Sequence, residues 1–206
     1  MGTPIIVVGA FHEVVELCEI CNFRIVGIVD NQLTGEFMGY PILGADETAQ
    51  TSLKAHRGVP LVLSPDKPAV RERLAIYYTN LGCTFASLIS PRAIVSRTAT
   101  LGRGVLIQSG VNISCSVVVG DFVRLNTFSN VMHDVTIGAY TTVAPNAVLL
   151  GRVRVGERCY LGSNCTVLPE RTVGGGATVG AGAVVTKDVP EATVVTGIPA
   201  QPLPPS

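Results

Sequence analysis

The sequence lacks tryptophan altogether, and aromatic residues make up only 5% of its 206 positions. Charge is also scarce: charged residues account for 15%, and 15 Lys and Arg balance 15 Asp and Glu. A helical bundle needs a richer charged face, so a fold built from Val, Ala, Gly and Thr is favoured. The absence of excess positive charge argues against binding to a nucleic-acid backbone, although it leaves room for one small phosphorylated ligand.

Long apolar runs are missing as well. No stretch of 18 apolar residues exists, so no membrane span is predicted. Glu13 and Glu16 interrupt the apolar run that begins at Ile5, so a secretory signal is not expected. The six cysteines are expected to be reduced in a cytoplasmic protein, and the Cys18–Cys21 pair lies in a helical pattern typical of core packing. Zinc catalysis with three histidines is not expected, because the repeat region described next contains only one histidine.

A six-residue repeat dominates the second half of the chain. Every sixth residue from Ile89 to Val185 is Ile, Leu or Val, and the position four residues after each is small or β-branched, with Arg171 as the exception. Hexapeptide periodicity is typical of a β-helix. Glycines also recur every 18 residues from Gly102 to Gly174, which indicates three hexads per turn and corners that need backbone freedom. The sequence therefore predicts a triangular prism of parallel coils with no break in phase, in which residues 18 apart are vertical neighbours.

The first third has a different rhythm, in which short apolar strands alternate with helical patterns. This alternation predicts a small, Rossmann-like parallel α/β domain over residues 1–88, followed by the β-helix and a C-terminal tail over 89–206. Ligands of such sheets bind at the carboxyl ends of strands, here Gly9–His12, Asp30-Asn31 and Ser64. A plain cap for one end of the prism is the alternative.

His133 is the informative histidine. It is the third residue of its hexad, so it occupies neither inward position, and Asp134 follows it directly. An imidazole can serve as a general base near neutral pH, and a neighbouring carboxylate makes it a better one. Gly151 lies 18 residues later and should overlie His133 with an accessible N–H, which is a plausible oxyanion donor. An inert surface pair is the alternative, and Cys115, one coil away, is a less favoured nucleophile.

Taken together, several features resemble the NeuD-type sugar acyltransferases. These are the hexapeptide prism, His133-Asp134, the ending Gly197-Ile198-Pro199-Ala200, the leading α/β domain and the stretch from Val29 to Gly44. The family includes sialic acid O-acetyltransferases and the nucleotide-4-amino-sugar N-acetyltransferases of bacillosamine and perosamine pathways. The resemblance implies a left-handed β-helix, a homotrimer, and acetyl-CoA in the groove between neighbouring prisms. It also implies a nucleotide sugar on the N-terminal domain, with its sugar near the histidine.

The resemblance also implies roles for individual residues. His133 would be the general base, Asp134 would raise its basicity, and Gly151 would face the thioester carbonyl. Acetyl-CoA would contact Thr142, Gly151, Ser163, Ala181 and Lys187. The nucleotide sugar would contact Phe11, His12, Asp30, Asn31, Ser64 and Asn126.

Three departures from the family pattern accompany the resemblance. The first loop reads Gly9-Ala10-Phe11-His12, shorter than the usual Gly-Ala-Gly/Ser-Gly-His and without its later glycines. Thr142 stands where relatives often have histidine, and Gln201 replaces a lysine, which would pass a phosphate contact to Lys187. The predicted function is metal-free, acetyl-CoA-dependent N-acetylation of a nucleotide-linked amino sugar. O-acetylation of a sialic-acid-like sugar and a non-catalytic scaffold remain alternatives.

Overall fold

The computed structural model describes residues 2–203 and begins with a five-stranded sheet. Its strands, in chain order, are β1 (Pro4–Val8), β2 (Arg24–Val29), β3 (Glu36–Phe37), β4 (Tyr40–Gly44) and β5 (Leu61–Leu63). The helices are α1 (His12–Ile20), α2 (Ala49–Ser52) and α3 (Pro68–Asn80), and short 3-10 turns cover Asp46–Thr48 and Leu53–His56. The order across the sheet is β3-β4-β2-β1-β5, and every pairing is parallel except that of β3 with β4.

Strand alternation decides which helix covers which side of this sheet. Ile5 and Val7 of β1 pack in one cluster with the buried residues of α1, whereas Ile6 and Val8 pack in another with those of α3. The predicted parallel α/β arrangement is therefore present. The β3–β4 hairpin was not predicted, because its two strands are short and mostly exposed or half-buried.

Two-residue strands build the rest of the chain into three parallel sheets, which we call faces 1, 2 and 3. Face 1 contains Leu88–Ile89, Leu106–Ile107, Arg124–Leu125, Thr142–Val143, Tyr160–Leu161, Thr178–Val179 and Val194–Thr196, with Gln201–Pro202 added antiparallel. Face 2 contains Ile94–Val95, Asn112–Ile113, Asn130–Val131, Val148–Leu149, Thr166–Val167 and Val184–Val185. Face 3 contains Thr100–Leu101, Val118–Val119, Thr136–Ile137, Arg154–Val155 and Thr172–Val173. The chain visits the faces in the order 1, 2, 3, and we name each corner by the two faces it joins.

The hexad pattern corresponds to the interior of this prism. From Val95 to Val185, the second residue of each strand points inward and joins the small residues four positions later in one continuous cluster. Ile89, predicted as the first inward residue, is instead 41% exposed at the end of the prism. Arg171, the exception to the small-residue rule, stays partly exposed and turns to Asp188, with 3.5 Å between Nη1 and Oδ1. The predicted β-helix is confirmed.

The role predicted for the column glycines was wrong. None of the five column glycines takes up left-handed backbone angles: Gly102, Gly120, Gly138, Gly156 and Gly174. Instead, a Cβ on Gly138 would lie 2.5 Å from the backbone nitrogen of Glu157 in the next coil. These positions need glycine because successive coils approach too closely for a side chain. The left-handed residue of each corner is a different one, and it is often not glycine, as at Asp134 (φ 59°) and Arg152 (φ 63°).

The predicted unbroken phase was also wrong near the end of the prism. Thr166 pairs with Val184 at the expected spacing, but Val173 bridges to Val189 and Thr178 pairs with Val194. The corner between Val185 and Val189 is therefore two residues shorter than the others. Val189 consequently stacks over Val173 in a large inward column rather than a small one.

The α/β domain is fixed to face 1 and to corner 3–1. Arg71 of α3, only 1% exposed, donates to the carbonyls of Phe122 and Tyr140 at 2.7 and 2.6 Å. Glu72 pairs with Arg158 on the same corner. Within residues 2–203, no helix is long and apolar enough to cross a membrane, and no group of three or more His, Cys, Asp or Glu side chains could hold a metal ion.

Candidate active site

A cleft of about 510 Å³ opens at the carboxyl ends of β1, β2 and β5, where a ligand was predicted. Phe11, Asp30 and Asn31 line it, and Lys67 and Arg73 supply its positive charge. Phe11 is 38% exposed, so its ring is available to a ligand. His12 is exposed at the first position of α1, where its ring packs edge-on against Phe37 and does not line the cleft.

Asp30 and Asn31 are engaged with their own chain. The Asp30 carboxylate accepts the N–H of Ala10 at 2.9 Å and those of Gln32 and Leu33 at 2.8 and 3.1 Å. The Asn31 amide and Asp46 bond reciprocally, with Asn31 Nδ2 2.7 Å from Asp46 Oδ2 and Asp46 N 2.8 Å from Asn31 Oδ1. Both side chains thus shape the cleft wall, and the carboxylate of Asp30 fixes the first loop.

Ser64 requires a correction. It is completely buried, and its hydroxyl lies 2.7 Å from the Val8 carbonyl oxygen and 2.6 Å from that of Gly9, to which it donates. A Cβ on Gly9 would lie 2.6 Å from the same hydroxyl. Ser64 therefore holds the first loop against β5 and has no surface to offer a nucleotide, because the strand end on which it was predicted is buried beneath that loop.

A cluster that sequence reasoning missed lies around Asp66, one of the residues that line the cleft. Asp66, three residues after the end of β5, lies beside Asn126 of the prism, whose Nδ2 is 3.4 Å from Asp66 Oδ1. Arg124 donates from Nε to Asn126 Oδ1 at 2.8 Å and approaches Asp66 Oδ1 at 3.5 Å. Burial, together with the Asp66 carboxylate, raises the pKa of Tyr160 nearby. The only signal for this cluster in the sequence was an arginine at an outward strand position beside the predicted Asn126.

His133 and Asp134 lie on corner 2–3, outside the prism as predicted. Nδ1 of His133 is 2.8 Å from Oδ2 of Asp134, and the two side chains are 45% and 51% exposed. The left-handed conformation of Asp134 turns its side chain back to the ring, while its N–H donates to the Cys115 carbonyl at 3.1 Å. The carboxylate thus orients the imidazole so that Nε2 is directed away from it.

Gly151 stacks on His133. A Cβ built on Gly151 would lie 2.6 Å from Nε2 and 2.7 Å from Cε1 of His133, so the ring covers the glycine directly. The neighbouring amides are used, since Leu150 N–H donates to Val167 and Arg152 N–H to the His133 carbonyl. Within residues 2–203, the N–H of Gly151 donates to no backbone carbonyl. The ring nitrogen Nε2 and an amide without a backbone acceptor therefore lie side by side on one corner. Gly151 is buried beneath the ring, however, so the prediction that its N–H is accessible was wrong for this position of the His133 side chain.

Thr142 also requires a correction. It is completely buried, its hydroxyl donates to the Asp66 carbonyl at 2.7 Å, and it accepts from Arg71 Nη2 at 2.9 Å. An acetyl-CoA molecule cannot reach it. The α/β domain covers this part of face 1, which the repeat pattern alone could not reveal.

The remaining predicted acetyl-CoA residues lie on two different corners. Ser163 and Ala181 are vertical neighbours on corner 1–2, half-buried and exposed respectively, and the Ser163 carbonyl accepts the Gly182 N–H at 2.8 Å. Lys187 is exposed in the shortened turn of corner 2–3, on the same edge as His133 and Gly151. A single ligand could touch both sets only across a gap between two prisms.

The cleft and the histidine lie on different sides of one chain. The α/β domain contacts face 1 and corner 3–1, whereas His133 is on corner 2–3, which is opposite face 1 in a three-sided prism. The structure therefore brings His133, Asp134 and Gly151 together but does not bring them to the predicted nucleotide contacts within the same chain.

Known proteins resemble both halves of this chain. The family profile "Bacterial transferase hexapeptide (six repeats)" matches residues 116–151. GDP-perosamine N-acetyltransferase of Escherichia coli O157:H7 is 31% identical over 180 residues, which cover 84% of this chain and 80% of that protein. The crystal structure of PerB from Caulobacter crescentus in complex with CoA and GDP-perosamine superposes with a TM-score of 0.92 at 30% identity, covering 98% of this chain and 97% of the other. The acetyltransferase domain of PglB from Neisseria gonorrhoeae in complex with acetyl coenzyme A gives a TM-score of 0.90 at 28% identity, covering 98% and 100%.

Proposed function

Because the chain belongs to the NeuD-type sugar acyltransferases of the hexapeptide-repeat class, we propose a mechanism in which His133 and Gly151 act on one acetyl transfer. The reaction moves the acetyl group of acetyl-CoA to the amine of a nucleotide-linked amino sugar. The parallel sheets and the hexapeptide repeat fit the left-handed β-helix of this class. The observation that carries the mechanism is the stacking of Gly151 on the His133 ring.

His133 accepts a proton in this mechanism. The neutral imidazole keeps its hydrogen on Nδ1, where Asp134 accepts it at 2.8 Å, so that Nε2 is free to act as a base. As the amine nitrogen attacks the thioester carbonyl, Nε2 takes a proton from that nitrogen. Asp134 holds the tautomer and stabilises the imidazolium that forms.

Gly151 stabilises the charge that develops on the carbonyl oxygen. Its unused N–H donates to the oxyanion of the tetrahedral intermediate, beside the base that generated it. When the intermediate collapses, the C–S bond breaks and the thiolate of CoA takes the proton from His133. The products are the N-acetylated sugar nucleotide and free CoA, and the base returns to its starting state.

The α/β domain holds the acceptor, and we assign residues 1–88 to this task and 89–206 to acetyl transfer. The cleft at the strand ends, with Phe11 as a stacking surface and Asp30 fixing the loop, has the size of a nucleotide site. Asn126 contacts Asp66 of the cleft wall, and we place the sugar beside this pair. Since two relatives act on or bind GDP-perosamine, a GDP-linked amino sugar is the first acceptor to test. The six free cysteines fit a reducing cytoplasm, where we place the enzyme.

We propose a homotrimer, because one chain cannot complete the site. The acceptor cleft is on the side of face 1, and His133 is on the opposite corner. Apposing corner 1–2 of one copy to corner 2–3 of the next would place Ser163 and Ala181 across a groove from Gly151 and Lys187. A long ligand such as acetyl-CoA fits such a groove, and three copies close the ring.

A panel of nucleotide-4-amino-sugars, assayed with acetyl-CoA by release of free thiol, tests the reaction. We expect rapid release with one amine acceptor and none with the corresponding nucleotide hydroxy-sugar. His133→Ala is the matched control, since it removes the base without altering the prism interior. Thiol release with the hydroxy-sugar but not with the amines, or thiol release without any sugar, would contradict the proposal.

Mixing two inactive variants tests the shared site. His133→Ala lacks the base and Asn126→Asp alters the acceptor side, so each homotrimer should be impaired. If sites are built from two copies, subunit exchange between the variants should restore part of the activity. A monomer in light scattering that retains full activity would refute the trimer.

A further inference from the structure

The amides of Gly9, Ala10 and Phe11 in the first loop are not free to bind a phosphate. Gly9 N–H donates to the Val29 carbonyl at 2.8 Å, Ala10 N–H to Asp30 at 2.9 Å, and Phe11 N–H to the Gly9 carbonyl at 3.1 Å. In glycine-rich phosphate loops, such amides face the ligand. Here they are consumed internally, so an acceptor diphosphate must be held by other groups.

The start of α1 offers two of those groups. The N–H groups of Val14 and Val15 donate to the Phe11 carbonyl, but those of His12 and Glu13 precede the first internal bonds of the helix. Phe11, the N-cap residue, provides no side-chain cap. The positive end of this nine-residue helix is therefore open next to the first loop.

A buried arginine of the prism reaches the same place. The Arg124 side chain is 5% exposed, and its Cζ lies 6.0 Å from the centre of the Phe11 ring. Its Nε donates to Asn126, and its Nη1 donates to the Ser64 carbonyl. Among residues 2–203, Nη2 has no hydrogen-bond acceptor. The only fully buried side-chain nitrogen or oxygen without a partner in that range is Ser129 Oγ, so Nη2 must open onto solvent.

Two arginines meet at this junction, and the carboxylates of Asp66 and Glu13 partly offset their charge by raising the pKa of Arg124 against the effect of burial. Arg71 and Arg124 are both buried, and the nearest carboxylate to Arg124 is Asp66, at 3.5 Å. Within the described chain Arg71 has no carboxylate within salt-bridge distance and bonds to carbonyls and Thr142 instead. Burial and the charge of Arg124 lower the pKa of Arg71 to about 10. An anion bound beside Nη2 would pair with a guanidinium that burial has largely removed from water.

We propose that Arg124, together with the open N-terminus of α1, binds the diphosphate of the acceptor nucleotide in place of a glycine-rich loop. A guanidinium edge offers parallel donors that match phosphate oxygens, and a mostly desolvated one binds them strongly. This inference rests on the proposed function, since it assumes a nucleotide-linked acceptor. It makes the prism, and not only the α/β domain, a determinant of nucleotide binding.

Calorimetric titration with GDP and with guanosine separates the diphosphate from the rest of the nucleotide. Loss of a hydrogen bond to a charged group costs about 1.5–3 kcal/mol, which is roughly a 10- to 100-fold loss in affinity. We therefore expect Arg124→Leu to weaken GDP binding by about that factor. The affinity for guanosine and the KM for acetyl-CoA should not change. Arg158→Leu is the matched control. Arg158 is an exposed arginine at the same junction, where it pairs with Glu72, so this variant should bind GDP normally.

Arg124→Lys covers the case in which the leucine variant does not fold. It keeps the positive charge but loses the planar pair of donors, so GDP should bind several-fold more weakly while the melting temperature changes little. Equal losses for GDP and guanosine would show that Arg124 only supports the loop and would overturn the inference. An unchanged GDP affinity together with a raised acceptor KM would also overturn the inference, because Arg124 would then act on the sugar and not on the diphosphate. If the native protein binds neither GDP nor UDP and acetylates no nucleotide sugar, the proposed function itself fails.

Discussion

Replacing Gly151 by alanine would place a methyl group where the His133 ring now lies. The new Cβ would be 2.6 Å from Nε2 and 2.7 Å from Cε1, whereas an unstrained contact needs about 3.5 Å. The ring must therefore move by roughly 0.9 Å. It can do so, because the His133 side chain is 45% exposed and the obstructing atoms are its far end. The backbone of Gly151 does not adopt a left-handed conformation, so alanine adds no strain of its own.

The expected consequence is a loss of rate without a loss of stability. A displacement of about 1 Å at a reacting group can cost on the order of 100-fold in rate, or about 2.7 kcal/mol in activation free energy. We expect kcat to fall by about that factor, with both KM values nearly unchanged, in the thiol-release assay at saturating substrates. Gly175→Ala is the matched control, because its Cβ would meet its nearest neighbour, the Glu157 carbonyl oxygen, at an ordinary 3.5 Å.

A double-mutant cycle decides whether the effect passes through the ring. In a His133→Ala background the methyl group has nothing to displace, so Gly151→Ala should change kcat by less than about threefold. If the full 100-fold loss persisted in that background, the glycine would act only through its amide or the acetyl-CoA site. If Gly151→Ala left kcat of the native enzyme within threefold, the assignment of Nε2 as the base would be refuted.

Four further results are expected. His133→Ala should lower kcat by about 10²–10⁴-fold in steady-state assays, with both substrates still bound. Asp134→Asn should lower kcat less, because Asp134 only orients the base. A His133→Ala variant that kept a tenth of the rate would contradict this. Asp30→Ala should raise the acceptor KM more than the acetyl-CoA KM and destabilise the protein by about 2 kcal/mol in urea unfolding, since three backbone amides lose their acceptor; equal small effects on both KM values would favour a plain cap. Thiol titration at pH 8 should modify exposed Cys115 first. Cys18 and Cys165 should react only after unfolding, because burial raises the pKa of each to about 12, and fast labelling of either would disprove the packing.

The repeat could be interpreted from the sequence because each hexad carries its own information. A two-residue strand has one inward side chain, so the spacing of Ile, Leu and Val directly determines the prism and its vertical register. The same register rule predicted that Gly151 would lie over His133, and the structure has this contact. The strand ends of the α/β domain were predictable for a similar reason, since alternating strands and helices bring their loops to one edge.

Periodicity cannot reveal contacts between residues that are distant in the sequence. The α/β domain covers face 1, so Thr142 is buried under Asp66 and Arg71, and this depends on packing across about 70 positions of the chain. The free or occupied state of each loop amide likewise depends on partners from other strands, as for Ala10 and Asp30.

The sequence by itself thus determined the prism, its register as far as Val185 and the exposed histidine, because those depend on a repeat of fixed length along the chain. Only the tertiary structure decided where the α/β domain sits, and with it which predicted contacts are reachable. It separated His133 from the acceptor cleft by the width of the prism, and it brought Arg124 to the start of α1. Both outcomes follow from how two independently patterned halves pack, and no local pattern specifies that packing.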